Sequence, residues 1–182
     1  MRWFAVLILA YLAIAVQSGM EGVVRWWGGG GPNLGLLVAV FIAVNAPRDA
    51  ALLGCFVVGL MQDLVSQQPP GLLAVSYGLT GWIVNAIGQV VYRAHPLTHV
   101  ALVLLGSAVT VTMILLAGWL HPPTAAGVSA GGAVLPAVRV PVGGLLSGAV
   151  WTALLAPLVL GLLHRLRRLF AFDSARRKLK VY

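Results

Sequence analysis

Charge is what this sequence has least of. Only 9 % of its 182 residues are Asp, Glu, Lys or Arg, and just four are acids. A soluble domain carries about a quarter of its residues charged, so this chain could not solvate a surface in water. With 60 % of its residues hydrophobic, its class is integral membrane protein. Cysteine is scarce too: Cys55 stands alone within an apolar run. No intrachain disulfide can form, the chain gives no sign of an oxidising compartment, and Cys55 reads as a small packing residue.

Catalytic patterns are also missing. No serine sits in a Gly-x-Ser-x-Gly elbow, and no His-Glu-x-x-His signature occurs. Asp49 and Asp63 stand 14 residues apart, about 21 Å along one helix, much too far for a carboxylate pair working on one bond. Four glycines, Gly28 to Gly31, lack the following Gly-Lys-Ser/Thr of a phosphate loop. His95 and His99 have the spacing of a metal pair, but Pro96 pushes His95 out of helical geometry and no carboxylate or cysteine is nearby. They read as interfacial histidines, as do His121 and His164 at run ends. The expectation is a protein that is not an enzyme and holds no metal or cofactor.

What the chain has is apolar runs, six of them. The first extends from Trp3 to about Ser18 and reads as a retained helix rather than a signal peptide, because no small-residue cleavage pattern follows it. Gly19 to Asn33, with Trp26, Trp27 and the glycines, reads as a turn in the headgroup layer. Run two, Leu34 to Asn45, has only 12 residues, a length that leaves open a short span, a re-entrant segment or a core helix. Run three, Ala50 to Val65, follows a tight Asn-Ala-Pro-Arg-Asp turn, so the two form a hairpin. Runs four (Gly71 to Tyr92), five (Leu97 to Leu120) and six (Val142 to Leu163) complete the set. The expected organisation is an all-α, six-transmembrane-helix bundle over residues 1–163 with a basic tail over 164–182.

Counting basic residues on alternate sides orients the bundle. Arg2, Arg48, Arg93 and seven in the tail share one side, ten in all, against Arg25 and Arg139 on the other. The positive-inside rule therefore expects both termini in the cytoplasm. The net charge of +8 then faces anionic lipid headgroups, at about 1 kcal/mol of attraction per basic residue. Nucleic acid is not needed to explain it. Leu162, Leu166, Leu169 and Phe170 alternate with arginines in the pattern of an amphipathic, surface-lying helix.

Within the apolar runs, Gly59 to Gly81 carries the most informative polar residues. Asp63 ends run three beside the turn that closes on Pro69-Pro70-Gly71, and Ser76, Tyr77 and Thr80 follow on run four. An acid in hydrocarbon costs about 2.5 to 3.5 kcal/mol on insertion scales and less near an interface. Asp63 therefore reads either as a buried or partner-binding contact or as an interfacial acid ending its helix, with Arg25 and Arg139 as candidate counter-ions. Small residues recur at packing spacing in Gly35-x-x-x-Ala39-x-x-x-Ala43, Gly143-x-x-x-Ser147 and Gly144-x-x-x-Gly148. They let helix backbones approach, chiefly within the chain.

The turn Ala46-Pro47-Arg48, the segment Gly54 to Gly59, Gly59-x-x-x-Asp63-Leu64 and Gly71-x-x-x-x-x-Tyr77-x-x-x-Gly81 resemble the rod shape-determining protein MreD family. The resemblance spans about Leu34 to Leu120, and more loosely the whole layout. It implies a non-enzymatic scaffold in the bacterial inner membrane that serves the cell-elongation machinery and lateral peptidoglycan synthesis. The implied partners are MreC, the MreB filament, RodA and a penicillin-binding transpeptidase. The implied fold is similar to the S component of energy-coupling-factor transporters, and Gly59, Asp63, Gly71, Tyr77 and Gly81 become the candidate partner-binding or structural residues. The rival reading is a substrate-binding S-type component of a vitamin or small-molecule transporter, with a pocket lined by Asp63, Tyr77, Trp82 and Asn85.

Overall fold

The computed structural model describes residues 3–26, 30–66, 70–87, 96–120 and 142–165. They form six helices: α1 (Trp3–Trp26), α2 (Leu34–Asn45), α3 (Arg48–Asp63), α4 (Leu72–Ile87), α5 (Pro96–Leu120) and α6 (Val142–Arg165). Each apolar run becomes one helix. The first outlasts its expected end near Ser18, continuing through Gly19 and Glu21 to Trp26. Glycine costs a helix only about 1 kcal/mol, and a membrane segment has strong reason to keep its backbone groups bonded within the helix.

Two length classes are present. Helices α1, α5 and α6, of 24, 25 and 24 residues, are long and apolar enough to cross a membrane. Helices α2, α3 and α4 have 12, 16 and 16 residues. At 1.5 Å per residue the long helices reach about 36 Å and the short ones only about 18 to 24 Å. Three helices therefore match the expectation of spans by length, and three fall short of it.

Helix α2 is the centre of the bundle. Every residue from Gly35 to Val44 is buried, and α2 packs on each of the other five helices. Its apolar sequence has no polar face to turn outward, as a fully enclosed helix requires. Of the three options left by its length, the structure supports the core helix. Around it run α1, α3, α4, α5 and α6 in an arc, each packed on the next from α3 onward and α1 on α3. Pro47 supplies the extended residue that stops α2 and opens α3.

The small-residue stripes are spent inside the bundle. A Cβ on Gly35 would strike the Gln62 side chain, and Ala39 and Ala43 offer their carbonyls to Cys55 Sγ and Asn85 Nδ2. Helices α3 and α4 come closest: a Cβ on Gly59 would stand 2.5 Å from the Leu73 carbonyl oxygen and 2.6 Å from Ala74 Cα. Gly81 meets α3 at Cys55, whose sulfur would lie 2.7 Å from an added Cβ. The Gly144/Gly148 pair serves a different neighbour, the backbone of Gly30 and Gly31. Outward, Phe4, Ile8 and Leu12 on α1 and Leu154, Leu158 and Leu162 on α6 are exposed. So large an apolar surface belongs in hydrocarbon rather than water.

Two substitutions test this packing. Gly59→Val would force backbone apart and is expected to destabilise the purified protein by about 3 kcal/mol, read as a lower melting temperature in detergent. Ser107 is buried, and its hydroxyl is the one buried side-chain polar atom without a partner among the described residues. Ser107→Ala is therefore expected to leave the melting temperature unchanged or raise it.

Candidate functional site

Asp63 caps a helix that is not its own. The last residue of α3, it is 8 % exposed. Its Oδ2 accepts the backbone N–H groups of Gly71 at 3.1 Å and Ala74 at 3.0 Å, and its Oδ1 accepts that of Leu73 at 3.0 Å. A helix leaves its first N–H groups without intrahelical acceptors, and one carboxylate here binds three donors at the start of α4. Its charge also sits at the positive end of the α4 dipole. Gly71 makes this possible by adopting φ +90°, a backbone state open to glycine and strained for other residues. The counter-ions proposed for Asp63 are not among its partners in these bonds: Arg139 and the Arg25 side chain lie outside the described residues.

A second polar cluster gathers at the start of α2. Asn33 is its N-cap, accepting from Leu36 N at 3.0 Å. The same Oδ1 accepts from the Tyr77 hydroxyl at 2.8 Å and from Gln62 Nε2 at 3.4 Å. Asn33 N donates to Thr152 Oγ1 at 2.9 Å, and Gln17 Oε1 accepts from Leu34 N at 2.9 Å and Gly35 N at 3.3 Å. Four other helices, α1, α3, α4 and α6, thus contribute to the start of α2. Above it, Gly30 N donates to Ser147 Oγ at 2.9 Å, which fixes Gly30 against α6.

The five residues singled out from sequence all lie along the α3/α4 seam. Gly59 permits the close crossing, Asp63 and Gly71 close the top of α4, Tyr77 links α4 to Asn33, and Gly81 accommodates Cys55. Sequence reasoning missed Gln17, Asn33, Gln62 and Thr152. A signal for Asn33 was present, since asparagine directly before an apolar run is a helix-start residue. Gln17 and Gln62 were also visible as isolated amides in otherwise apolar runs.

The pocket set of the transporter reading is differently disposed. Asp63 and Tyr77 are engaged as described, Asn85 Nδ2 donates to the Ala43 carbonyl at 3.2 Å, and Trp82 faces outward, 49 % exposed. Asp63, Tyr77 and Asn85 tie helices together, and Trp82 does not join them around a common space. Among the described residues, no cluster of three His, Cys, Asp or Glu side chains could hold a metal ion. His95, His121 and the side chains of His99 and His164 lie outside them. The chemistry available to this site is hydrogen bonding that fixes helix ends.

Comparison with known proteins gives one match. A family model described as rod shape-determining protein MreD covers residues 1–166. No curated protein and no solved structure matches the chain.

The Asp63 cap makes a graded prediction. Asp63→Ala strands three N–H groups and is expected to cost about 2 to 4 kcal/mol. Asp63→Asn keeps one acceptor oxygen and should fall between the two. Thermal unfolding in detergent reads the order, and an alanine variant that melts with the parent protein would remove the capping role.

Proposed function

The chain belongs to the MreD family of rod shape-determining proteins, and we infer that it serves as a non-enzymatic scaffold through which a cell-elongation complex is assembled in the membrane. The family has a structural part in setting rod shape, and the helices α1, α5 and α6 suit a membrane protein. The observation that carries the scaffold reading is the use made of the polar groups. Asp63, Tyr77, Asn33, Gln17 and Gln62 fix helix ends to one another, the economy of a rigid platform.

The partner on this reading is an MreC-like protein, with MreB, RodA and a penicillin-binding transpeptidase joined through it to organise lateral peptidoglycan synthesis. Asp63 acts at one remove. By holding the α3/α4 turn it fixes the exposed side chains of Leu60, Leu64 and Val65 in the form a partner would meet. The bundle sits in the inner membrane as a multi-pass protein with both termini cytoplasmic. Its basic tail, residues 164–182, lies against anionic lipids.

Cell shape gives the test. In rod-shaped cells lacking the native gene, the chain is expected to restore rods and to co-purify with the MreC-like protein after crosslinking in membranes. Asp63→Ala, matched for abundance, is expected to lower both partner recovery and the fraction of rods. Recovery of no cell-wall partner by the parent protein would end the scaffold proposal. Orientation has its own check: green fluorescent protein fused after Tyr182 should fluoresce, and alkaline phosphatase fused there should be inactive. The reverse pair would invert the topology.

A further inference from the structure

The hydrogen bonds at the start of α2 also set the heights of the helices. Asn33 is joined to Thr152 of α6 and Gln62 of α3, and Leu34 to Gln17 of α1. These residues therefore share one level. Below it, toward Trp3, Arg48 and Arg165, α1, α3 and α6 each run 13 or 14 residues, about 20 Å. Above it they part company. Helix α3 ends one residue beyond Gln62, whereas α1 continues nine residues to Trp26 and α6 begins ten residues before Thr152. The described residues at the end of α3 thus lie roughly 10 Å below the ends of α1 and α6.

Burial follows the same level. On α1 the last buried residue is Ile14, on α5 it is Thr110, and on α6 the first is Thr152. Beyond those points no described side chain of the three helices is buried. At the turn itself, Leu64 is 82 % and Val65 58 % exposed. Ser66, Asn33 and Gln17, at or near this level, are only partly buried.

A flat bilayer matched to the long helices would submerge these polar groups in hydrocarbon. Thinning a bilayer costs little for each ångström, whereas every polar group left in hydrocarbon with neither water nor a protein partner costs heavily. We propose that the protein presents a stepped thickness to the membrane, and that phospholipid headgroups of the leaflet around the α3/α4 turn are drawn down beside Leu64 while the same leaflet keeps its full thickness beside α6. The partner for this surface is the lipid, and the bundle is a local thinning device on one side only. In the proposed orientation this is the outer leaflet.

Spin labels measure it directly. Leu64 lies two residues above Gln62 on the α3 side, and Val150, 65 % exposed, two residues above Thr152 on α6, so Leu64→Cys and Val150→Cys place labels at equal height. Each is made in the full chain with Cys55→Ser and reconstituted in phosphatidylcholine vesicles with 18-carbon monounsaturated chains. Depth is read from relaxation by oxygen and by a water-soluble nickel complex. The Leu64 label is expected at headgroup level and the Val150 label about 10 Å deeper. In vesicles of 14- and 22-carbon lipids, the Val150 depth should follow chain length and the Leu64 depth should not. Val65→Cys serves as a second turn label. Equal depths for turn and α6 labels, or a turn label deeper than Val150, would overturn the proposal. It rests on the membrane setting and not on the partner reading, so a lost step and a lost partner are separately visible.

Discussion

A helix that starts inside a bundle needs acceptors for its first N–H groups from the protein itself, and this structure is built around meeting that demand at two places. The first turns of α2 and α4 begin well below the ends of α1, α5 and α6. Asp63 caps α4 from the end of α3, and Asn33 with Gln17 caps α2. Removal of either acceptor set leaves buried residues, Leu73 and Ala74 on α4 or Leu36 on α2, with N–H groups that have lost the partners shown here. The polar residues are few because each supports several bonds.

That constraint explains the arrangement of the apolar residues. Helix α2 can be apolar on every side because five helices enclose it. In lipid, burial of apolar surface gives helices little reason to associate, so close backbone approach and shared hydrogen bonds must hold them. Gly59 against Ala74, Gly81 against Cys55 and Gly35 against Gln62 provide the first; Tyr77, Asn85 and Thr152 provide the second. The two mechanisms meet at the α3/α4 seam.

Much of this was readable in the residues. Scarcity of charge gave the class, apolar run lengths gave six helices, and Asp63, Gly71 and Tyr77 stood out as polar or turn-forming residues between apolar runs. The extent of α1 was not readable, because Gly19 and Gly22 resemble turn residues and only the need for internal backbone bonding keeps them helical. Nor was the shared level of Gln17, Asn33, Gln62 and Thr152. Their partners are separated by as many as 119 positions, and no local pattern encodes which helix will stand beside which. The role of Asp63 lay between these cases: its position at a helix end was plain, but that it would cap the following helix depended on the turn returning within reach.

The bonds from Gly30 to Ser147 and from Asn33 to Thr152 span nearly two thirds of the chain. During synthesis the N-terminal portion is made long before α6 exists. Gly30 N and Asn33 N therefore wait for α6 to supply their acceptors. Biogenesis becomes a closing operation, in which α6 seals against Gly30 and Asn33, laid down more than a hundred residues earlier.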